Sequence, residues 1–536
     1  MSRPLSRRQW LAVTGGTALD LMLAPRAKAQ SFDSRTPTEL DRDWLKATAR
    51  YAPERARLLR LVEQETEGIG QGPFRPDWAS LQAHKTPQWY QDAKFGIFIH
   101  WGPYSIPAFG SEWYSRDMYV RGSPEFAHHV ATYGPQNKFG YKDFIPRFTA
   151  ERFDPAAWMA LFRAAGARYV VPVAEHHDGF SMYGTRLSDF SAVKLGPKRD
   201  VLSEVKAAAR AHDFHFCLSS HRAEHDWFFD EGRKFPSDVM EPANAGLYGP
   251  AQARITGVNS DDLFSDYTYV SQYWLDDWLA RQVELVTAYE PELIYFDWWI
   301  GQPSFRNTLP KFLAFYYNRA ARAGGTAVVN YKLGEFADGA GTLDVERGQA
   351  PGIRPDTWQT CTSISDKSWG YIENDTYKSP AQIVHLLADI VAKNGNLLLN
   401  VGPRGDGLIP EAARDTLMAV GGWLKSNGEA IYGARPWTKF GEGPTENADG
   451  SFSESKAKPY TPRDFRFTTA NGHLYAIQLA EPENGKAVIA SVHSAKAVTL
   501  LGRDAPLTFS QDAEGLTITL PSDAPRQLAN VYRMEI

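Results

Sequence analysis

Several short apolar runs in this 536-residue chain end in imidazoles, indoles or carboxyl groups. The first ends in His100-Trp101-Gly102 and is soon followed by Glu112-Trp113-Tyr114. A second runs into Glu175-His176-His177-Asp178-Gly179-Phe180, and a third ends near Ser219-Ser220-His221. Leu293-Ile294-Tyr295-Phe296 leads into Asp297-Trp298-Trp299, and two later runs end in Asn330-Tyr331-Lys332 and Asp344-Val345-Glu346-Arg347. Asp297 is the sharpest of these signals: a carboxylate closing an apolar strand, with Trp298 and Trp299 beside it to exclude water. An Asp in that place also suits a helix cap, so the chemical reading needs a partner. Glu346 is the partner. Retaining glycosidases hold two carboxyl groups about 5–5.5 Å apart, one an ionised nucleophile and the other a protonated acid. Asp297 and Glu346 are expected to face each other in this way.

The histidines admit two readings. Three imidazoles near carboxylates are natural ligands for zinc or iron, and His100, His176 and His177 would be the set. His176 and His177 are adjacent, however, and neighbouring side chains diverge unless the chain bends; no His-x-His or His-x₃-His spacing occurs there. The preferred reading is a wall that offers directional hydrogen bonds to sugar hydroxyls, with no metal and no cofactor.

Such groups converge only if the strands that carry them are parallel and closed. Apolar runs at Phe95–His100, Tyr169–Ala174, Phe214–Ser219, Leu293–Asp297, Ala327–Asn330, Leu343–Glu346, Trp358–Thr362 and Asn396–Val401 number eight. Helical patterns such as Pro155–Ala165, Val201–His212, Tyr273–Tyr289, Leu309–Ala323, Pro380–Lys393 and Pro410–Asn427 separate many of them. This alternation predicts an α/β fold, a (β/α)₈ TIM-like barrel, whose working residues sit at the C-terminal ends of the strands. No glycine-rich dinucleotide fingerprint follows the first strand, against a Rossmann sheet. Beyond Pro436 short alternating runs with frequent turn signals predict a small C-terminal antiparallel β-sandwich. The expected organisation is an export signal at 1–30, a helical lead-in at 31–80, the barrel at 81–436 and the sandwich at 437–536.

Composition narrows the class. Hydrophobic residues at 43% and charged residues at 23% suit a large globular core rather than a disordered chain. A net charge of -5 supplies no positive field for a phosphate backbone, so no nucleic acid partner is expected. The 16 Trp and 24 Tyr suit sugar rings, whose apolar faces stack on aromatic planes. Cys217 and Cys361 are the only cysteines; they exclude a disulfide framework and read as buried small hydrophobes. Arg7-Arg8 before a weakly apolar stretch and Ala27-Lys28-Ala29 resemble a twin-arginine signal, which implies a periplasmic or secreted protein exported already folded. That stretch is too short to span a bilayer, so no membrane insertion is expected after its removal. No feature of the sequence sets an oligomeric state.

The runs Gln88-Trp89-Tyr90, Lys94 to Gly102, Glu112-Trp113-Tyr114, His176 to Phe180, Gly196 to Asp200, Ser368-Trp369-Gly370-Tyr371 and Asn394 to Pro403 together resemble the family 29 α-L-fucosidases, in the same order from about Trp89 to Trp437. The resemblance implies a retaining exo-glycosidase acting on terminal α-L-fucose of glycans, with Asp297 on the nucleophile position. It implies that His100, Glu112, Trp113, His176 and His177 hold the sugar, with Tyr295 where a Trp is common and Lys332 where an Arg is common. Two departures stand out. Where many members carry the acid/base as the Glu of a Trp-Glu pair, this chain has Trp358-Gln359, and an amide cannot cycle a proton. Glu346 is the expected replacement, with Glu112 second and Asp356 third. Leu218-Ser219-Ser220-His221 replaces a Leu-Tyr-Tyr-Ser segment, so His221 is expected to fill the space of a missing Tyr. A fucose-binding protein without catalysis, and a metal-dependent hydrolase, are the alternatives.

Overall fold

The structure, a computed structural model, describes residues 33–68, 72–258, 262 and 264–536. The export-type segment therefore lies outside the described residues. Eight parallel strand positions form the barrel: β1 (Phe95–Ile99), β2 (Tyr169–Glu175), β3 in two pieces (His215–Phe216 and Leu218–Ser220), β4 (Leu293–Phe296), β5 (Val328–Tyr331), β6 (Thr342–Leu343), β7 (Trp358–Ser363) and β8 (Gly395–Val401). Each pairs with the next, β8 pairs back onto β1 with Phe95 opposite Leu397, and the parallel bridge Asp344↔Gln359 closes β6 onto β7.

Alternation along the strands explains the interior. Phe98, Val171, Val173, Cys217, Leu293, Tyr295, Val328, Cys361 and Leu398 form one cluster inside the barrel, whereas Ile97, Ile99, Val170, Leu397 and Leu399 belong to the core under the helices. Gly96 takes part through its lack of a side chain, since a Cβ there would sit 2.4 Å from the Tyr169 ring. Both cysteines are buried and unpaired as disulfides.

The covering helices are α1 (Pro37–Ala47), α2 (Ala52–Thr66), α3 (Pro155–Ala164), α4 (Val201–Ala211), α5 (Gln272–Tyr289), α6 (Leu309–Arg322), α7 (Pro380–Ala392) and α8 (Glu411–Asn427). Thr36 starts α1 with a capping box closed by Glu39. The connections into β6 and β7, residues 332–341 and 344–357, carry no helix. This departs from the strict alternation expected, and the Gly and Pro content of those segments is the physical reason.

Two antiparallel sheets follow. β9 (Arg435–Glu442), β10 (Phe465–Ala470), β11 (His473–Gln478), β13 (Ala497–Leu500) and β16 (Asn530–Glu535) make one, in the order β9-β10-β11-β16-β13. β12 (Lys486–Ile489), β14 (Thr508–Asp512) and β15 (Gly515–Thr519) make the other, in the order β12-β15-β14. Phe467, Leu474, Ile489, Val498, Ile518 and Met534 share a core between them. The unit is tied to the barrel helices by Arg466 on Asp389 (2.5 Å) and by Trp423 Nε1 donating to the Ala529 carbonyl (2.8 Å). Among the described residues no helix is long and apolar enough to cross a membrane.

Candidate active site

The inner-face positions at the C-terminal strand ends converge on a cavity of about 260 Å³ lined by Phe98, His100, Glu112, Trp113, His176, His177, His221, Tyr295, Asp297, Glu346 and Trp369. Period-two alternation accounts for much of this list. His100 follows Phe98, His221 follows Ser219, Asp297 follows Tyr295 and Glu346 follows Asp344, each two residues beyond an inner-face neighbour. Trp298 and Lys332 do not line the cavity; both instead hold Glu346, through Trp298 Nε1 donating to Oε2 at 2.7 Å and Lys332 Nζ at 3.2 Å from the same oxygen. Phe98 and Trp369 line it without having been picked out for that role.

Asp297 is almost fully enclosed. His221 Nδ1 lies 3.1 Å from its Oδ2 and His177 Nε2 3.4 Å from the same atom. Burial by itself would raise the Asp297 carboxyl. The hydrogen bonds from His177 and His221, with the positive charge of Lys332, outweigh it and hold the group well below the usual carboxylate range. His221 accepts the Ser219 hydroxyl at Nε2 (3.0 Å), which leaves Nδ1–H to donate to Asp297. Burial pushes His221 below the ordinary histidine range and His100 and His176 well below it, so all three face the cavity as neutral rings. His100 is oriented by Asn400, whose Oδ1 sits 2.7 Å from Nδ1.

The adjacent histidines do not diverge. The rings of His176 and His177 lie 4.3 Å apart, because β2 ends at Glu175 and the strand alternation ends with it. Among the described residues two triads bring nitrogen or carboxylate atoms within 4.8 Å of one another, His100/His176/His221 and His177/His221/Asp297, both sharing His221. Neither is the His100/His176/His177 set of the alternative metal-dependent reading.

Beneath this wall lies a buried ion network. Arg222 holds Glu175 and, at 2.8 Å, Asp277; Arg281 reaches the same two carboxylates at 3.0 and 2.9 Å; Arg55 of α2 reaches Asp277 at 2.9 Å. The residues before His176 and after His221 are thereby locked to α5 and to the lead-in helix.

Glu346 sits in a loop held on both sides. Val345 and Arg347 donate backbone N–H groups to the Gln359 and Cys361 carbonyls of β7 (2.8 Å each). From the C-terminal segment, Phe452 and Glu454 donate to the carbonyls of Glu346 and Arg347 (2.8 and 2.9 Å). Of the other proposed acids, Glu112 uses Oε2 to accept from the Ser368 hydroxyl (3.1 Å) and the Trp369 backbone N–H (2.9 Å). Asp356 is exposed and precedes β7, at the opposite end of the barrel from the cavity.

Gln359 is fully buried and does not line the cavity. Its amide donates to Asp344 Oδ1 (2.7 Å) and its carbonyl accepts from the Tyr90 and Tyr169 hydroxyls (2.8 and 3.2 Å). A glutamate there would set a second carboxylate against Asp344, which already pairs with Lys332 at 2.7 Å. Gln359→Glu is therefore expected to lose roughly 3 kcal/mol of stability in denaturant unfolding and to gain no activity. Cys361 is more than a small hydrophobe: its Sγ is 2.9 Å from Asp344 Oδ2. Burial works against the Lys332 cation, but the Asp344 carboxylate outweighs it and holds the amine well above its ordinary range.

Glu335 supports the same corner by accepting the Lys332 backbone N–H at 2.9 Å. Burial pushes its carboxyl up to about 8. A folded-state value above the unfolded one means the folded protein keeps a proton that the unfolded chain has lost, so stability falls as pH rises from about 4 toward 8. Glu335→Gln, which mimics the protonated form, is expected to flatten that decline by roughly a kcal/mol per pH unit. Thermal midpoints at pH 5, 6.5 and 8 check this.

The alpha-L-fucosidase family profile matches residues 61–429, and the profile of the alpha-L-fucosidase C-terminal domain matches residues 458–535. The chain is 33% identical over 479 residues to the tissue alpha-L-fucosidase of Rattus norvegicus, covering 87% of this chain and 93% of that protein. It is also 33% identical over 481 residues to the human tissue enzyme, covering 87% and 92%. The crystal structure of the Thermotoga maritima alpha-fucosidase in complex with fucose superposes with a TM-score of 0.68 at 31% identity, covering 86% of this chain and 100% of that one. This chain belongs to the alpha-L-fucosidase family.

Proposed function

We propose that Asp297 and Glu346 are the nucleophile and the acid/base of a retaining exo-α-L-fucosidase that removes terminal fucose from glycans. The observation that carries the reading is the one cavity wall that holds both carboxylates. A Thermotoga maritima relative has been solved with fucose and with a mechanism based inhibitor, which supports a covalent route.

Both imidazoles approach Asp297 Oδ2, so Oδ1 is the oxygen that attacks the anomeric carbon. Glu346 protonates the departing oxygen. The carboxylate this leaves faces the Trp298 N–H and the Lys332 ammonium. Glu346 then takes a proton from the water that releases the sugar with its configuration retained. Neutral His100 and His176, with Glu112, offer hydrogen bonds to hydroxyls, and Trp113 and Trp369 offer apolar planes. The chemistry needs no cofactor. Hydrolysis of an aryl α-L-fucoside followed by proton NMR tests the whole reading: the first sugar formed is the α anomer, at an undiminished rate in the presence of EDTA. Initial β anomer, sugar binding without release, or loss of activity on chelation would each overturn it.

Residues 1–30 are proposed to route the folded protein to the periplasm or beyond through the twin-arginine pathway, on the strength of Arg7-Arg8 and Ala27-Lys28-Ala29. Replacing both arginines by lysine should strand the unprocessed chain in the cytoplasm; unchanged export and cleavage would refute the assignment.

A further inference from the structure

The C-terminal segment does more than cap the barrel. Residues 450–454 lie along the loop that carries Glu346, with an antiparallel bridge at Gly450 and Gln349: Gly450 donates to Gln349 (2.9 Å), Phe452 to Glu346 (2.8 Å) and Glu454 to Arg347 (2.9 Å). The approach is close enough that a Cβ on Gly348 would fall 1.9 Å from the Gly450 carbonyl oxygen. Glu454 is pinned in turn by the Thr362 hydroxyl (2.6 Å) and by Lys378 (2.8 Å). This anchoring presents Phe452, held at a positive φ of 59°, so that its ring stacks on Trp298 with centroids 6.1 Å apart and planes 21° from parallel. Trp298 is the residue whose indole N–H holds Glu346.

Both rings are only half-buried, and neither lines the inner cavity. A partly exposed aromatic pair next to an acidic side chain offers apolar surface of the kind on which the C–H face of a sugar packs. The group that Glu346 protonates is the oxygen linking fucose to the rest of the glycan, so the second sugar must emerge on the Glu346 side of the cavity.

We propose that Trp298 and Phe452 form the platform for the sugar on the leaving side of the bond, so that a residue of the C-terminal unit sets which fucosylated glycans are cleaved. The inference rests on Glu346 being the acid.

The test compares kcat/KM for a fucosylated N-acetylglucosamine disaccharide with that for α-L-fucosyl fluoride, whose leaving group is a single atom. In Phe452→Ala the disaccharide-to-fluoride ratio is expected to fall about tenfold, mainly through KM, and Phe452→Tyr is expected to restore it to within about twofold. An unchanged ratio overturns the platform. So does an equal loss on both substrates, which would mean that the segment only holds the Glu346 loop in place. Glu346→Gln measured on the disaccharide separates the two assignments: retained hydrolysis there sinks the acid, whereas an unchanged Phe452→Ala ratio alongside an inactive Glu346→Gln sinks the platform alone.

Discussion

Asp297→Asn is expected to lower kcat by about 10⁴-fold or more on every α-L-fucoside, a loss of roughly 5 kcal/mol of transition-state stabilisation. The amide keeps an oxygen for the His221 N–H, so the cavity keeps its shape and free fucose binds within a few-fold of its original affinity. What disappears is the anionic oxygen that forms the covalent bond. Burial opposes that charge, and the protein sets two imidazoles and the Lys332 cation against the burial, an arrangement that has value only if the ionised form acts. Steady-state kinetics with an aryl fucoside, together with calorimetric titration of fucose, separate lost chemistry from lost binding. A variant that retains more than about a hundredth of the activity would show that another group attacks.

Glu346→Ala is expected to reduce turnover of natural glycans by about 10²–10⁴-fold, the usual contribution of a positioned proton donor. An aryl fucoside with a good leaving group should suffer less in its first step, because that departure needs little protonation. The covalent intermediate then accumulates, since no base remains to activate water. Azide, a nucleophile that needs no base, is expected to restore part of the rate and to appear in the product as α-L-fucosyl azide. Full activity without azide would move the role elsewhere. Glu112 is the next carboxylate on the cavity wall, where its Oε2 accepts hydrogen bonds from Ser368 and Trp369, and it is the group to which the role would move.

The strand ends were readable because alternation is local. Tyr295 and Asp297, Ser219 and His221, and Asp344 and Glu346 each stand two apart on an apolar run, and one closed parallel sheet turns that spacing into a shared cavity. The convergence of His176 and His177 was not readable, because it depends on where β2 stops. Lys332 and Trp298 were readable as residues of the site but not as partners of Glu346, since their contacts cross from β4 and β5 to the segment after β6. Trp369 reaches the cavity from the connection after β7, and its place is fixed by a hydrogen bond to Glu112, 257 residues away in sequence. Phe452 comes from the C-terminal segment, in a Gly-, Pro- and Ser-rich stretch whose composition says only that it turns. Gln359 looked like a lost acid; its amide is the group that lets Asp344, Tyr90 and Tyr169 pack together without a second buried charge.

The account stands or falls on a covalent bond at Asp297, and trapping it is the direct measurement. Incubation with 2-deoxy-2-fluoro-α-L-fucosyl fluoride, proteolysis and tandem mass spectrometry should place one fluorofucosyl ester on the peptide containing Asp297, and no such ester should form in Asp297→Asn. A label on any other carboxylate, or full turnover of fucosides by a protein that this reagent never labels, would contradict it.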